Sequence, residues 1–439
     1  MLDDVGFYTI FNKKTQSEEK YYNKIQAFMR AKSLNLKVEN IQWNFNDEIF
    51  KSVDWTIEPT DTLNQLYKTR ARQIREEYDY IVMFISGGAD STNMLFSFLY
   101  NDLLVDEIIA SAPLSGLRDW KRNRPYNDVK NTIEETFVSQ IPFLQKLKSR
   151  FPNLNIRIHD YFEDMLNYKQ DDWLIKGSDW MHPTMAGRYN LDRYSHLKVI
   201  AESGKKIAVV QGIDKPQLCR FKNHFSILFR DHPYNNKYDS INHPNTFPVF
   251  FYHSPDLPSL IVKQAHVTAR FLMRPENILI YKAMPYNWEY AKDRTNPLNN
   301  KNYNGLNGDV YERGIVPAIY PWIKKWSFQA EKPDKMFLGN HDHWFYEHHS
   351  GTSVWSMMKS DLLNLQKSLD SNFFHFDKDN NELLGLKPFF RSYNIGKIAN
   401  FTSKGILLPE LPSSEEFDKL FSFNNKYENT FNIDTNILL

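Results

Sequence analysis

Residues 84–95 read FISGGADSTNML, which gathers two glycines (Gly87, Gly88), three hydroxyls (Ser86, Ser91, Thr92) and one carboxylate (Asp90) into a single short stretch. Glycines let a backbone come close to a ligand, exposed N–H groups and hydroxyls donate to oxygen, and a helix beginning there adds positive potential. That chemistry suits an anion, and phosphate above all. The competing account is local: Gly87 and Gly88 supply a turn, and Asp90 or Ser91 caps the next helix.

Position decides how such a stretch can be used. YIVMFI (80–85) is a continuous apolar run rich in β-branched and aromatic residues, the pattern of a strand buried on both faces. TNMLFSFLY follows as a helix with Met94, Leu95, Phe98 and Leu99 inward. The loop therefore leaves the carboxyl end of a strand and opens a helix. Further strands are expected at DEIIASA (106–112), NIRIHDY (155–161) and KIAVVQGID (206–214), with helices between, one of them running from about 189 to 203 and stopping at Gly204. Pro142 breaks or restarts the helical pattern that precedes the third strand. Alternating strands and helices imply right-handed crossovers and a mainly parallel sheet. In a doubly wound sheet the first of these strands lies beside the fourth, so their exit loops face one crevice. The fourth loop, in VVQGIDKPQLCRF, then brings Gly212, Asp214 and Lys215 to the first. Asp214 is expected to contact metal or phosphate and Lys215 to neutralise phosphate; the alternative is a Gly-Ile-Asp-Lys-Pro turn without a ligand.

The loop contains neither G-x-x-x-x-G-K-[ST] nor G-x-G-x-x-G, so two common nucleotide motifs are absent. SGGADST resembles the SGG-x-D-S signature of the PP-loop (N-type) ATP pyrophosphatases. These include the synthetase domain of asparagine synthetases, GMP synthetases, NAD synthetases and tRNA lysidine synthetases. The resemblance covers the motif and the alternating pattern over about 79–218. It implies an adenine nucleotide alpha hydrolase-like fold, binding of the pyrophosphate part of ATP, and attack on the α-phosphorus that yields AMP and pyrophosphate. Ser86, Gly87, Gly88, Ser91 and Thr92 would hold phosphate oxygens, and Asp90, a carboxylate among anions, is assigned to Mg²⁺ or to a cap. The resemblance also places adenine and ribose near SAPLSG (111–116), with Ser111, Ser115 and Gly116 as candidates. GIDK departs from the G-x-G-x-D-E form of the asparagine-synthetase-like relatives, and the chain starts Met1-Leu2-Asp3 without the Cys at position 2 of glutamine-hydrolysing forms. An ammonia-using or partner-dependent enzyme without its own glutaminase is the expectation.

Other signals are weaker. SDWMHPTMAGRYNLDRYSH supplies His182, Arg188 and Arg193 as substrate candidates, with an Arg188/Asp192 surface pair as the plainer account. His341, His343, His348 and His349 match no metal-ligand spacing. Lys263, His266 and Arg270 recur on one face of an apolar helix, expected to be solvated rather than to close over a pocket. Trp43 and Trp55 read as core anchors, and Cys219 as a buried thiol rather than a sulfur carrier.

At 439 residues the chain exceeds what one core usually organises. Its pattern divides into an N-terminal appendage (1–75), an ATP-binding domain (76–235) and a mostly helical C-terminal domain (236–439), where 225–231 and 246–253 are expected to form an added hairpin with Pro248 on an edge. Lys plus Arg number 54 against 53 for Asp plus Glu, so no overall basic field recruits nucleic acid or membrane. One cysteine excludes an intrachain disulfide and multi-cysteine zinc, which with no apolar run of about 18 residues suits the cytoplasm. The Asn, Lys, Tyr, Phe and Ile content suggests an AT-rich coding genome, of a virus or a low-GC bacterium. The expected fold is α/β, a doubly wound, mainly parallel sheet of the PP-loop type. The expected function is an Mg²⁺- and ATP-dependent adenylating ligase acting on a small carboxylate or carbonyl compound and an amine donor. Its rivals are adenylation of a nucleic-acid base and a nucleotide-binding module without turnover.

Overall fold

The computed structural model describes residues 6–112, 140–160, 194–212, 215–231, 243–277, 280–281, 284, 314–321, 364, 367–377, 382–387 and 389–402. The chain opens with strands β1 (Phe7–Asn12) and β2 (Ser17–Tyr21), helix α1 (Lys24–Ser33) and strand β3 (Ile41–Asn44); the three strands form an antiparallel sheet in the order β2-β1-β3. Helix α1 begins at Lys24 because the Asn23 side chain accepts from the Ile25 and Gln26 N–H groups. The composition of residues 18–32 predicts one helix over that whole stretch, but residues 18–21 pair with β1 instead. Helices α2 (Asp47–Ser52) and α3 (Leu63–Glu77) follow. Thr62 caps α3 in a reciprocal box with Gln65, and Leu63, Leu66, Ala71 and Ile74 are buried, as their spacing predicts.

The centre is an α/β layer. Strands β4 (Tyr80–Phe84), β5 (Glu107–Ala112), β6 (Ile156–Asp160), β7 (Ile207–Gln211) and, beyond the hairpin β8 (Leu218–Phe221) and β9 (His224–Arg230), β10 (Thr246–Phe250) supply the sheet. β4, β5, β6, β7 and β10 make one five-stranded sheet in the order β10-β7-β4-β5-β6, every pair parallel. The chain thus winds from β4 out to β6 and returns on the other side at β7. The first and fourth strands of this unit are neighbours, as doubly wound topology requires. Helices α4 (Ala89–Leu99), α5 (Ile141–Arg150) and α6 (Ser195–Glu202) lie between the strands in sequence. Side chains alternate between two apolar clusters: Ile81, Met83, Ile108, Ala208 and Val210 share one with α4 and α5, while Val82, Ile109, Ile207 and Val209 share the other with Leu197 and Ala201 of α6. Both faces are covered, which explains why the strands read as unbroken apolar runs. Pro142 sits in the first turn of α5, and Gly204, at φ +91°, follows the end of α6.

The expected 225–231/246–253 hairpin does not form. β10 adds to the parallel sheet beside β7, on the edge that Pro248 demands, and β9 pairs antiparallel with β8 and with β13 (Phe390–Lys397). A second late hairpin joins β11 (Phe374–Asp377) to β12 (Glu382–Leu386). Described residues beyond 236 also include helices α7 (Pro258–Leu272) and α8 (Val316–Ile319), so helix and strand share this region. The sheet crosses the expected boundary at 235/236. Residues 1–75 are likewise no isolated layer: Phe45, Phe50 and Trp55 pack on Phe229 of β9, and Trp55 stacks on Tyr393 of β13 at 4.6 Å. Tyr8 and Lys24 both reach the buried Asp231 carboxylate at 2.7 Å.

The basic stripe on α7 is buried rather than solvated. Lys263 and Arg270 grip Glu58, His266 meets the Trp55 carbonyl at 2.9 Å, and Gln264 donates to Tyr67 at 2.8 Å. These four side chains clamp the connector 55–59 and α3 to α7. Among the described residues no helix is long and apolar enough to cross a membrane.

A second buried charge, Glu107 on β5, receives Arg157 at 2.9 Å and has His196 Nε2 within 3.0 Å of both oxygens. Burial alone would raise this carboxyl, but the hydrogen bonds from His196 and Arg157 hold it below its ordinary value of 4.5. A carboxyl depressed in the folded chain contributes stability above the unfolded pKa and loses it as pH falls through the folded value. Glu107→Gln is therefore expected to flatten the acid limb of urea-unfolding stability between about pH 5 and pH 2. An unchanged slope would show that Glu107 carries no such linkage.

Candidate functional site

The loop between β4 and α4 takes the shape its residues allow. Gly87 has φ +78°, a conformation costly to any residue with a Cβ, and Gly88 precedes the helix in extended geometry without a side-chain cap. The Ser86 hydroxyl accepts from the Gly88 N–H at 3.2 Å and lies 3.3 Å from Ser91 Oγ, which donates to the Gly88 carbonyl. Two serines thus tie the turn to the first turn of α4. Where no side chain caps an eleven-residue helix, its first N–H groups and its dipole favour an anion.

The exit of β7 presses against this turn. A Cβ on Gly212 would stand 3.0 Å from Ser91 Cα and 3.1 Å from the Asp90 carbonyl oxygen. Only glycine fits there without displacing α4. Three residues on, Lys215 delivers its ammonium to Asp90 Oδ2 at 2.7 Å, with the lysine side chain 11% and the aspartate 23% exposed. Tyr320, directly after α8, donates to Asp90 Oδ1, and Tyr252, past the end of β10, donates to the Asp90 carbonyl at 2.6 Å. Asn93 donates in turn to Tyr252 at 3.1 Å. Burial first, then the Asp90 charge, pushes the Tyr320 phenol well above its ordinary range; for Tyr252, burial is followed by Tyr67 and Asp90. Both phenols therefore act as neutral donors at any working pH.

Ser86, Gly87, Gly88, Asp90, Ser91, Gly212 and Lys215 come together here. Thr92 does not join them: it is 0% exposed and its hydroxyl has no hydrogen-bond partner among the described residues, so it is not presented to a ligand. Ser111 lies near the end of β5, the neighbour of β4. Asp214, His182, Arg188, Arg193, Ser115, Gly116 and the histidines at 341–349 lie outside the described residues. Cys219 is buried, and burial pushes its thiol up to about 11, which disfavours the thiolate.

Sequence reasoning missed Asn93, Tyr252 and Tyr320, whose roles arise from contacts across 159 to 230 positions, and no local pattern marks them. It also passed over Gln211, buried at the end of β7 with neither amide atom partnered among the described residues.

The donors fit the phosphates of a nucleotide such as ATP: an uncapped helix start, a glycine turn, the Ser86 hydroxyl and a lysine. They fit Mg²⁺ less well. Both Asp90 oxygens are already engaged, by a cation and a phenol, and no cluster of three metal-binding side chains occurs among the described residues. No family model, curated protein or solved structure matches the chain.

Gly212→Ala is expected to destabilise the chain by about 1–3 kcal/mol through overpacking on α4. The same variant should weaken binding of inorganic pyrophosphate, read by calorimetry. Unchanged stability and unchanged binding together would contradict the close approach.

Proposed function

We propose that the chain is an Mg²⁺- and ATP-dependent, AMP-forming enzyme of the ligase type, acting at the β4–α4 turn. The observation that carries this is the position of Lys215, anchored on Asp90 at the first turn of an uncapped helix where strand order reverses. The pyrophosphate part of ATP lies against the turn. A carboxylate or carbonyl oxygen of the acceptor attacks the α-phosphorus, the bond to the bridging oxygen breaks, and pyrophosphate leaves with the electron pair. An amine then displaces AMP from the adenylated acceptor.

The chain's own contribution is alignment and charge. Negative charge grows on the departing pyrophosphate, and Lys215 together with the α4 amides is placed to offset it. Ser86 and Ser91 hold the turn in shape, and the Ser86 hydroxyl, which accepts within the turn, is the one placed to donate to a phosphate oxygen. Mg²⁺ arriving with ATP would add neutralisation, with Asp214 the carboxylate proposed for it; Asp90, both of whose oxygens are engaged by Lys215 and Tyr320, is not offered to the metal. The engagement of Asp90 by Lys215 and Tyr320 favours one other reading, a module that binds a nucleotide without turning it over.

Incubation with α-labelled ATP, Mg²⁺, pooled amino acids, ammonium and total tRNA separates these. Labelled AMP is expected, falling by about two orders of magnitude in Lys215→Met. ADP as product would sink α-phosphorus chemistry, and nucleotide binding without any AMP would favour the module.

A further inference from the structure

We propose that Tyr320 is a positioning residue of the anion site, acting through Asp90 on Lys215; this rests on the phosphate-binding reading above. Asp90 brings a negative charge into a place meant for anions, where it works against phosphate unless its charge is shared out. Two donors share it. Lys215 takes Oδ2 at 2.7 Å and Tyr320 takes Oδ1, while Tyr252 fixes the main-chain carbonyl of the same residue at 2.6 Å.

The division matters for the lysine. With Oδ1 satisfied by a buried phenol, the carboxylate has one oxygen left for Lys215. That oxygen holds the ammonium at the turn, at 2.7 Å. Remove the phenol, and Asp90 draws on Lys215 with more of its charge. The cation turns toward Asp90, and its attraction for phosphate falls. Tyr320 can do this because it is held rigidly: its side chain is fully buried, its ring packs on Tyr252 at 5.6 Å between centroids, and the preceding Ile319 carbonyl accepts from Tyr67 at 2.6 Å. Tyr67 is in turn bound by Gln264 of α7. The late segment 316–320 is thereby coupled to a loop 230 positions earlier in the chain.

The test is a double-mutant cycle on the full chain, with inorganic pyrophosphate titrated calorimetrically into wild type, Tyr320→Phe, Asp90→Asn and the double variant. Phenylalanine keeps the ring and removes only the hydroxyl. Tyr320→Phe is expected to weaken pyrophosphate about tenfold, the scale of one charge-assisted hydrogen bond. In the Asp90→Asn background the same change should alter affinity by less than about twofold, because the group it acts through is gone. Tyr8→Phe is the control: it removes a comparable bond, to the buried Asp231, away from the loop. It should lower the melting temperature and leave pyrophosphate affinity unchanged.

Wild-type affinity in Tyr320→Phe would overturn the inference, as would an equal loss with and without Asp90. An affinity loss in Tyr8→Phe would reduce the effect to general stability and overturn it too. Absence of pyrophosphate binding by wild type would instead remove the anion site itself, a result distinct from the others.

Discussion

At the point where the sheet reverses its strand order, the backbone at Gly212 lies so close to α4 that a single added Cβ would stand 3.0 Å from Ser91 Cα. The rest of the site follows from that contact. Because β7 exits against the first turn of α4, the next residues of the same loop bring Lys215 onto Asp90, and a cation meets a helix start that no side chain caps. Parallel strands β4 and β7 fix the approach, since Tyr80 to Met83 pair in register with Ile207 to Val210. A slip of one residue would turn Val209 and Val210 to opposite faces and carry Lys215 away from the loop.

The surrounding chain serves to keep this junction still. Tyr252 and Tyr320 reach Asp90 from two later segments, and α7 joins those segments to α3 through Gln264 and Tyr67. On its other side α7 binds Glu58 and the Trp55 carbonyl, so the N-terminal layer is locked to the same helix. Lysine, arginine and histidine are expensive to bury without partners. Here each has one, which makes the stripe a clamp between layers rather than a solvated face.

Much of the central layer was legible because its signals are local. YIVMFI, the two glycines and the amphipathic run after them specify strand, turn and helix in order; Gly204 marks the end of α6, and Pro142 the first turn of α5. The adjacency of β4 and β7 followed from topology rules alone. What escaped depended on distant partners. TFPVFF alternates no more clearly as a parallel edge strand than as one arm of a hairpin, and only its pairing with β7 decides. Residues 18–21 have helical composition but find an open strand in β1. Lys263, His266 and Arg270 look solvated until Pro59, Trp55 and Glu58 are brought across from 204 to 212 positions away. Thr92 belongs to the motif in sequence, yet the turn of the helix carries its hydroxyl inward. Tyr320 carries no sequence signal, because a tyrosine among aromatics is ordinary core until its hydroxyl meets a carboxylate.

The most direct measurement is a crystal structure of the chain with the non-hydrolysable α,β-methylene analogue of ATP and Mg²⁺. The account predicts phosphate oxygens about 3 Å from the amides at the start of α4 and from Lys215 Nζ. The α-phosphorus should face the crevice between the exits of β4 and β7. An analogue bound with its phosphates anywhere else, or a Lys215 that stays on Asp90 while phosphate lies beyond its reach, would contradict it.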